Sequence, residues 1–390
     1  VDFSRLKIFM NEMAKSRTPG NAIEIYKDGQ KIFEYASGYS DLENNVHLNG
    51  DELYFIYSCS KIATAVAGMQ LIENGKILVS DPLYDYIPEF RHMMVQCSDN
   101  TLKKAEKPIT IGDLFSMTSG FSYDCKEAVD KAKKINNDIA DTHNVIRCLA
   151  ETPLNFEPGT RWMYGLSHDI LAEVIAVVSG KKFSEYMQKN IFIPLEMKDT
   201  TYHCDKSVAE RMAEQYVFET NSANTFDIVK AQQYGNSMVG KFIKKEKTNS
   251  LVYSEEYDSG GAGIITNVSD YAKLAAALAN SGVGINGERI LQEKTVDLMK
   301  TNRLNRKQMK DFNWKQLKGY GYGFGVRTMM DRAAGGSLSS IGEFGWGGAA
   351  GASVWVDTTL NLGIFYVQHC LNPREEYYQP RLRNIIYSCI

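Results

Sequence analysis

The chain is 390 residues long, 44% hydrophobic and 23% charged, with a formal net charge of −3, the make-up of a globular protein with room for one large or two medium domains. So small an acidic excess gives no reason to expect nucleic acid or an anionic membrane as partner, and no stretch reaches the ~20 apolar residues of a membrane span. The seven cysteines (59, 97, 125, 148, 204, 370 and 389) are scattered, odd in number and without a C-x-x-C pair, so free thiols and a cytoplasmic location are expected.

In chain order, residues 2–15 space Phe3, Phe9, Met10 and Met13 as one face of an amphipathic helix. Asn21–Tyr26 and Lys31–Ala36 flank Asp28-Gly29 as a β-hairpin, and polar residues 38–50 read as a loop. Strand-prone Leu53–Tyr57 then runs into Ser58, where a helix is predicted to start, stopping at Asn74-Gly75. Beyond Lys61 this helix is apolar or small almost all round, as in a buried helix. Its first turn presents Ser58 and Lys61 on one face, where unpaired N–H groups gather positive charge.

Loops and short helices are predicted to Lys107. Helices follow near 111–118 (capped by Thr110), 140–151, 167–180 and 183–190. Residues 205–258 are mixed. A helix capped by Ser269, a Gly-rich strand over 319–326, strands at 352–357 and 362–368, and a helix over 375–389 complete the chain. Strands at both ends with helices between predict an α/β (α+β) fold. An antiparallel sheet from 1–80 and 255–390, flanked by terminal helices, would carry an inserted, mostly helical domain over 81–254. The site would lie in the cleft between them, walled by 205–258 and the loop around 302–318.

S-x-x-K occurs three times, at Ser4/Lys7, Ser58/Lys61 and Ser179/Lys182. Ser4 is terminal and Ser179 ends a helix, so both read as surface pairs. Only Ser58 has a strand-to-buried-helix context. Gly165-Leu166-Ser167-His168-Asp169 misses the G-x-S-x-G elbow at its last position. Ser167 there reads as a helix N-cap and His168 as surface or supporting. The six histidines include no H-x-x-x-H, and no phosphate-cradling glycine loop stands out, so no metal or cofactor is expected.

The surroundings of Ser58 decide the reading. Phe55–Lys61, Leu71–Ile77, Ile109–Gly120, Phe156–Tyr164, Ile193–Thr200 and Ser259–Thr266, in this order over about residues 20–370, resemble the serine β-lactamase-like superfamily. The branch is that of class C β-lactamases, DD-peptidases and related esterases and acyltransferases. The resemblance implies a β-lactamase/transpeptidase-like fold and three motifs around one cleft. The first is Ser58 and Lys61. The second, usually Y-x-N, falls on Tyr164-Gly165-Leu166, and the third, usually K-T-G or H-T-G, on Trp346-Gly347-Gly348 before Ala349.

Two motifs depart from the lactamase pattern. Leu166 cannot bond an acyl amide, and Trp346 and Gly347 cannot hold a substrate carboxylate. Less charged, more apolar acyl substrates follow, as in the similar β-lactamase-fold carboxylesterases. The expectation is a small-molecule acyl substrate, an acyl-enzyme on Ser58, and Lys61 with a Tyr164 phenolate as base. By the resemblance, Ser58 and Ala349 N–H groups bind the oxyanion, while Trp346, Gly347, Gly348 and Leu166 line the substrate side. A β-lactamase or DD-peptidase, an acyltransferase and a non-catalytic binding protein on this fold are the alternatives. Oligomeric state is not legible.

Overall fold

Period-two hydrophobic alternation near the two ends of the chain builds one large antiparallel sheet in the computed structural model, which describes residues 1–220 and 240–390. The strands that frame the site are β1 (Gly20–Lys27), β2 (Gln30–Asp41), β3 (Val46–His47), β4 (Tyr54–Phe55), β5 (Ile265–Thr266), β6 (Tyr320–Tyr322), β7 (Arg327–Met329), β8 (Phe344–Gly347), β9 (Ser353–Asp357) and β10 (Leu362–Gln368). Eight of them form the sheet, in the order β6-β7-β8-β9-β10-β1-β2-β3, so the two ends of the chain meet where β1 pairs with β10. The helices that matter here are α1 (Ser4–Ser16), α2 (Ser60–Glu73), α3 (Ser167–Ser179), α4 (Val268–Ala279) and α5 (Glu375–Tyr387).

Alternate residues of each strand serve two cores. Ile23, Ile25, Trp355, Ile364 and Tyr366 pack on one face with Leu6 and Met10 of α1 and Tyr378, Leu382 and Ile386 of α5. Ala22, Tyr26, Val354, Val356, Phe365 and Val367 join the other, larger core with α2, α3 and α4. Helix α2 is buried from Ser60 to Leu71, as its all-round apolar sequence requires. Between the halves of the sheet run helices Lys126–Ile135 and Thr142–Leu149, then α3, and the hairpin strands Gln215–Thr220 and Gly240–Lys245.

Local signals set most boundaries, and tertiary pairing moved the rest. Thr110 caps its helix with a reciprocal bond to Asp113. Helix α4 is capped by Asn267, whose side chain accepts the Asp270 N–H, rather than by Ser269. β2 runs on to Asp41 through the expected loop because β1 and then β3 supply partners. The single strand expected over 319–326 is two, β6 and β7, joined by a turn with Gly325 at φ +76°. Among the described residues no helix is long and apolar enough to cross a membrane.

Candidate active site

Strand β4 pairs with β5 and hands the chain to one 3-10 turn, Tyr57–Cys59, before α2 begins at Ser60. The helix therefore starts two residues later than expected. Tyr57 has φ +46°, a strained value for a bulky residue. Its hydroxyl donates to Gln215 Oε1 at 2.6 Å, anchoring the turn. Ser58 is 7% exposed, yet it lines a cleft of about 500 Å³. Neighbouring Ser60 is fully buried and its Oγ accepts the Ile264 N–H, so it is a structural serine.

Lys61 is fully buried one helical turn on. Its Nζ contacts Gly261 O at 2.8 Å, Tyr123 Oη at 3.0 Å and Ser58 Oγ at 3.3 Å. Gly261 O and Tyr123 Oη hold the amine on two sides and leave Ser58 Oγ as its third partner. Helix α3 supplies buried Asp169, which accepts from Ser259 Oγ at 2.7 Å and Tyr257 Oη at 3.4 Å. A side chain on Gly261 would collide with the Asp169 carboxylate, so this glycine lets the two charges approach from either side of it. Burial pushes the Asp169 carboxyl upward, and the Lys61 charge pulls it back. The reading from sequence assigns no role to Tyr123 or Asp169. Asp169 has a signal, its place five residues after Tyr164; Tyr123 has none.

Tyr164 Oη accepts the Trp346 Nε1–H at 2.7 Å, and its hydroxyl lies within hydrogen-bonding reach of Ser58. Lys61 Nζ sits 4.6 Å from its ring centroid. Desolvation pushes the Tyr164 phenol well above its ordinary range, while its bonds with Ser58 and Trp346 lower it, a balance that weighs against the expected phenolate.

The third motif ends β8. The Gly348 N–H donates to Ala352 O, and a Cβ on Gly348 would lie 2.2 Å from Ile56 O. Only glycine lets this edge abut the turn that carries Ser58. Ala349 is exposed, lines the cleft, and among the described residues no carbonyl accepts its N–H. That N–H and the one on Ser58, at the unpaired start of a helix, are the candidate oxyanion donors. A Cβ on Gly347 would meet Gln379 Nε2 at 2.8 Å and Glu375 Oε1 at 3.0 Å, so α5 occupies the space of a motif side chain. Trp346 and Gly347 line the cleft.

At the start of α3 the expectations for Leu166 and Ser167 change, and one of the two for His168 holds. Leu166, expected at the substrate side, is 2% exposed in the large core and caps α3 from behind the cleft. Ser167 is the first residue of α3 rather than its cap, and its hydroxyl bonds Ser119 Oγ. His168 is fully buried beneath the site, the supporting position of the two expected for it. Burial and the Lys61 charge push its pKa down to about 3. All three follow from α3 packing its first turn inward. The loop around 302–318 does wall the cleft, through Trp314, Gln316 and Leu317. No described residue of 205–258 lines it, and residues 221–239 of that stretch lie outside the described residues. The C-terminal segment from Leu371 to Gln379 takes that side instead, which the sequence did not suggest.

Comparison with known proteins places this geometry. Esterase EstB of Burkholderia gladioli is 25% identical over 371 residues, covering 92% of this chain and 87% of EstB. Among solved structures, EstCE1, described as a hydrolase with promiscuous acyltransferase activity, superposes with a TM-score of 0.77 at 21% identity over 99% of this chain and 98% of its own. Simvastatin synthase (LovD) from Aspergillus terreus gives 0.79 at 19% identity over 100% and 99%. Both structural likenesses speak to the fold. The Beta-lactamase family model matches residues 7–387, essentially from one terminal helix to the other, and the chain belongs to that family.

Proposed function

We propose that the protein is a serine hydrolase that cleaves small or apolar carboxylic esters through an acyl-enzyme on Ser58. The observation that carries this reading is the Lys61 Nζ to Ser58 Oγ contact of 3.3 Å at the edge of an aromatic-walled cleft. The family and its relatives support the coarser class, a serine hydrolase or acyltransferase of the β-lactamase fold.

In the proposed reaction the Ser58 proton passes to Lys61 as Oγ bonds the ester carbonyl carbon. The oxygen that becomes anionic takes hydrogen bonds from the Ser58 and Ala349 N–H groups. As the carbon–oxygen bond to the alcohol breaks, the leaving oxygen takes the Tyr164 proton, which the Lys61 ammonium replaces. Trp346 and Tyr123 hold Tyr164 and Lys61 in register for this hand-over. Water then attacks the acyl-enzyme by the same steps in reverse, or an acceptor alcohol takes the acyl group.

A panel of p-nitrophenyl esters of rising chain length, run beside nitrocefin and a D-Ala-D-Ala peptide, tests the assignment. Ester turnover should dominate, and Ser58→Ala should abolish labelling by a fluorophosphonate. Undiminished labelling of the variant would move the nucleophile elsewhere, and nitrocefin turnover above ester turnover would favour a lactamase. The acyltransferase reading has the LovD and EstCE1 folds in its favour, and product analysis with added alcohol separates it from hydrolysis.

A further inference from the structure

Two carboxylates, Glu375 and Glu376, and three aromatic rings line the cleft beside Ser58. Tyr164, Trp314 and Trp346 lie in mutual contact, with centroid separations of 5.2, 5.4 and 5.9 Å. Glu375, the first residue of α5, lines the same cleft of about 500 Å³. Its Oε2 accepts from Gln316 Nε2 at 3.0 Å. Its Oε1 accepts no hydrogen bond among the described residues and faces the bare Cα of Gly347, with 3.0 Å to the position a Cβ would take. A half-buried carboxylate oxygen with no donor, in a cleft it shares with the exposed Trp314 ring, is an unfilled acceptor.

Its charged surroundings do not fill it. Arg327 of β7 also reaches the cleft, but its guanidinium is buried and paired to Glu343 Oε1 at 3.2 Å. Glu376 adds a second carboxylate on the same helix, and Arg374 at the rim has Glu376 close by. From the facing loop comes neutral Gln316, and from the next turn of α5 neutral Gln379, whose Nε2 donates to Ser353 Oγ of β9 at 3.0 Å.

We infer that this cleft takes esters carrying an ammonium group, with the cation held against the exposed Trp314 ring and Glu375 Oε1. Ring quadrupoles attract a cation within about 6 Å, and the carboxylate supplies the opposite charge. A neutral ester in the same place leaves that carboxylate desolvated without a partner, and an anionic one is repelled, so selection works in both directions. Burial raises the Glu375 carboxyl to about 7, so a bound cation, by favouring the ionised form, should bind better as pH rises through neutrality. The inference rests on the Ser58 esterase reading for its chemistry but not for its binding.

Two measurements separate these. Isosteric pairs differ only in a charged nitrogen: 2-(trimethylammonio)ethyl against 3,3-dimethylbutyl acetate for the alcohol side, and p-nitrophenyl 4-(trimethylammonio)butanoate against 5,5-dimethylhexanoate for the acyl side. In one pair kcat/KM should favour the cation by roughly tenfold, and Glu375→Gln, which keeps a bond to Gln316, should shrink that ratio to about twofold. Equal rates within both pairs, or a ratio unchanged in Glu375→Gln, would overturn the inference. Independently of catalysis, phenyltrimethylammonium should quench tryptophan fluorescence saturably in Ser58→Ala. The affinity should be higher at pH 8 than at pH 6, and weaker by roughly tenfold when Glu375→Gln is added. No saturable quench would refute the cation site while leaving the esterase reading intact. A saturable quench in a protein that cleaves no ester would uphold the site and sink the esterase reading.

Discussion

Gly348→Ala probes the oxyanion edge without touching a reacting group. The added Cβ would lie 2.2 Å from Ile56 O, against an ordinary contact of 3.4 Å or more. About 1.2 Å of movement must therefore be found. The Ile56 carbonyl has little freedom, since it accepts the Cys59 N–H at 3.2 Å and its own N–H donates to Ile264 O at 3.2 Å. The movement falls instead on the Gly348-Ala349 edge, a tight turn held by Gly348 N–H to Ala352 O and Gly351 N–H to Gly348 O, in which the Ala349 N–H has no carbonyl partner among the described residues. Displacing one oxyanion donor by about 1 Å should lower kcat by roughly 10²- to 10³-fold. KM should change little, because the aromatic wall is untouched. The strain should lower stability by about 1–3 kcal/mol. Steady-state kinetics on p-nitrophenyl butyrate, beside a thermal melt, give both numbers. A folded variant with kcat within about threefold of the parent would refute Ala349 as an oxyanion donor.

Two further outcomes follow from the geometry. Asp169→Asn keeps the shape of a side chain that touches no substrate but holds Ser259 and flanks the Gly261 carbonyl used by Lys61. Fluorophosphonate labelling should slow by roughly 10- to 100-fold with the melting temperature nearly retained; an unchanged labelling rate would remove Asp169 from the positioning machinery. Glu375 has a folded pKa of about 7, above its ordinary 4.5. The folded state then binds more protons than the unfolded one between those values, so stability should fall as pH rises across that window. With the side chain partly exposed, the effect should be at most about 1 kcal/mol. Urea midpoints at pH 5 and pH 8 should therefore differ more in the parent than in Glu375→Gln, and identical pH dependence in both would count against the shift.

The sheet and the nucleophile turn were legible because they rest on local pattern. Alternation in β1, β9 and β10 marks both faces, and the apolar run after Lys61 marks a helix with no solvent side. What was missed depends on contacts distant in sequence. Tyr123 reaches Lys61 from 62 residues away, and nothing around it distinguishes it from a surface tyrosine. Neither the substrate-side position expected for Leu166 nor the choice between surface and supporting for His168 is settled by local pattern, whereas α3 turns its whole first turn into the core. The desolvation that opposes a Tyr164 phenolate was hidden for a related reason. The charge that would stabilise it was visible in the S-x-x-K pair, but the rings that desolvate it, Trp314 and Trp346 among them, come from the loop after Asn302 and from β8.

The third motif shows how an absence in sequence can be a presence in space. Trp346-Gly347-Gly348 reads as the loss of groups that hold a substrate carboxylate. In the fold, Gly347 is bare because α5 has moved in: Glu375 and Gln379 stand where its side chain would be. A terminal helix that packs on the sheet thereby sets the polarity of the cleft, and sets it opposite to that of a carboxylate-binding site. A threonine at 347 cannot by itself supply anion recognition, because its Cβ would lie 2.8 Å from Gln379 Nε2 and 3.0 Å from Glu375 Oε1. On the proposed reading, specificity at this edge is a joint property of β8 and α5, and a change of substrate charge requires changing both.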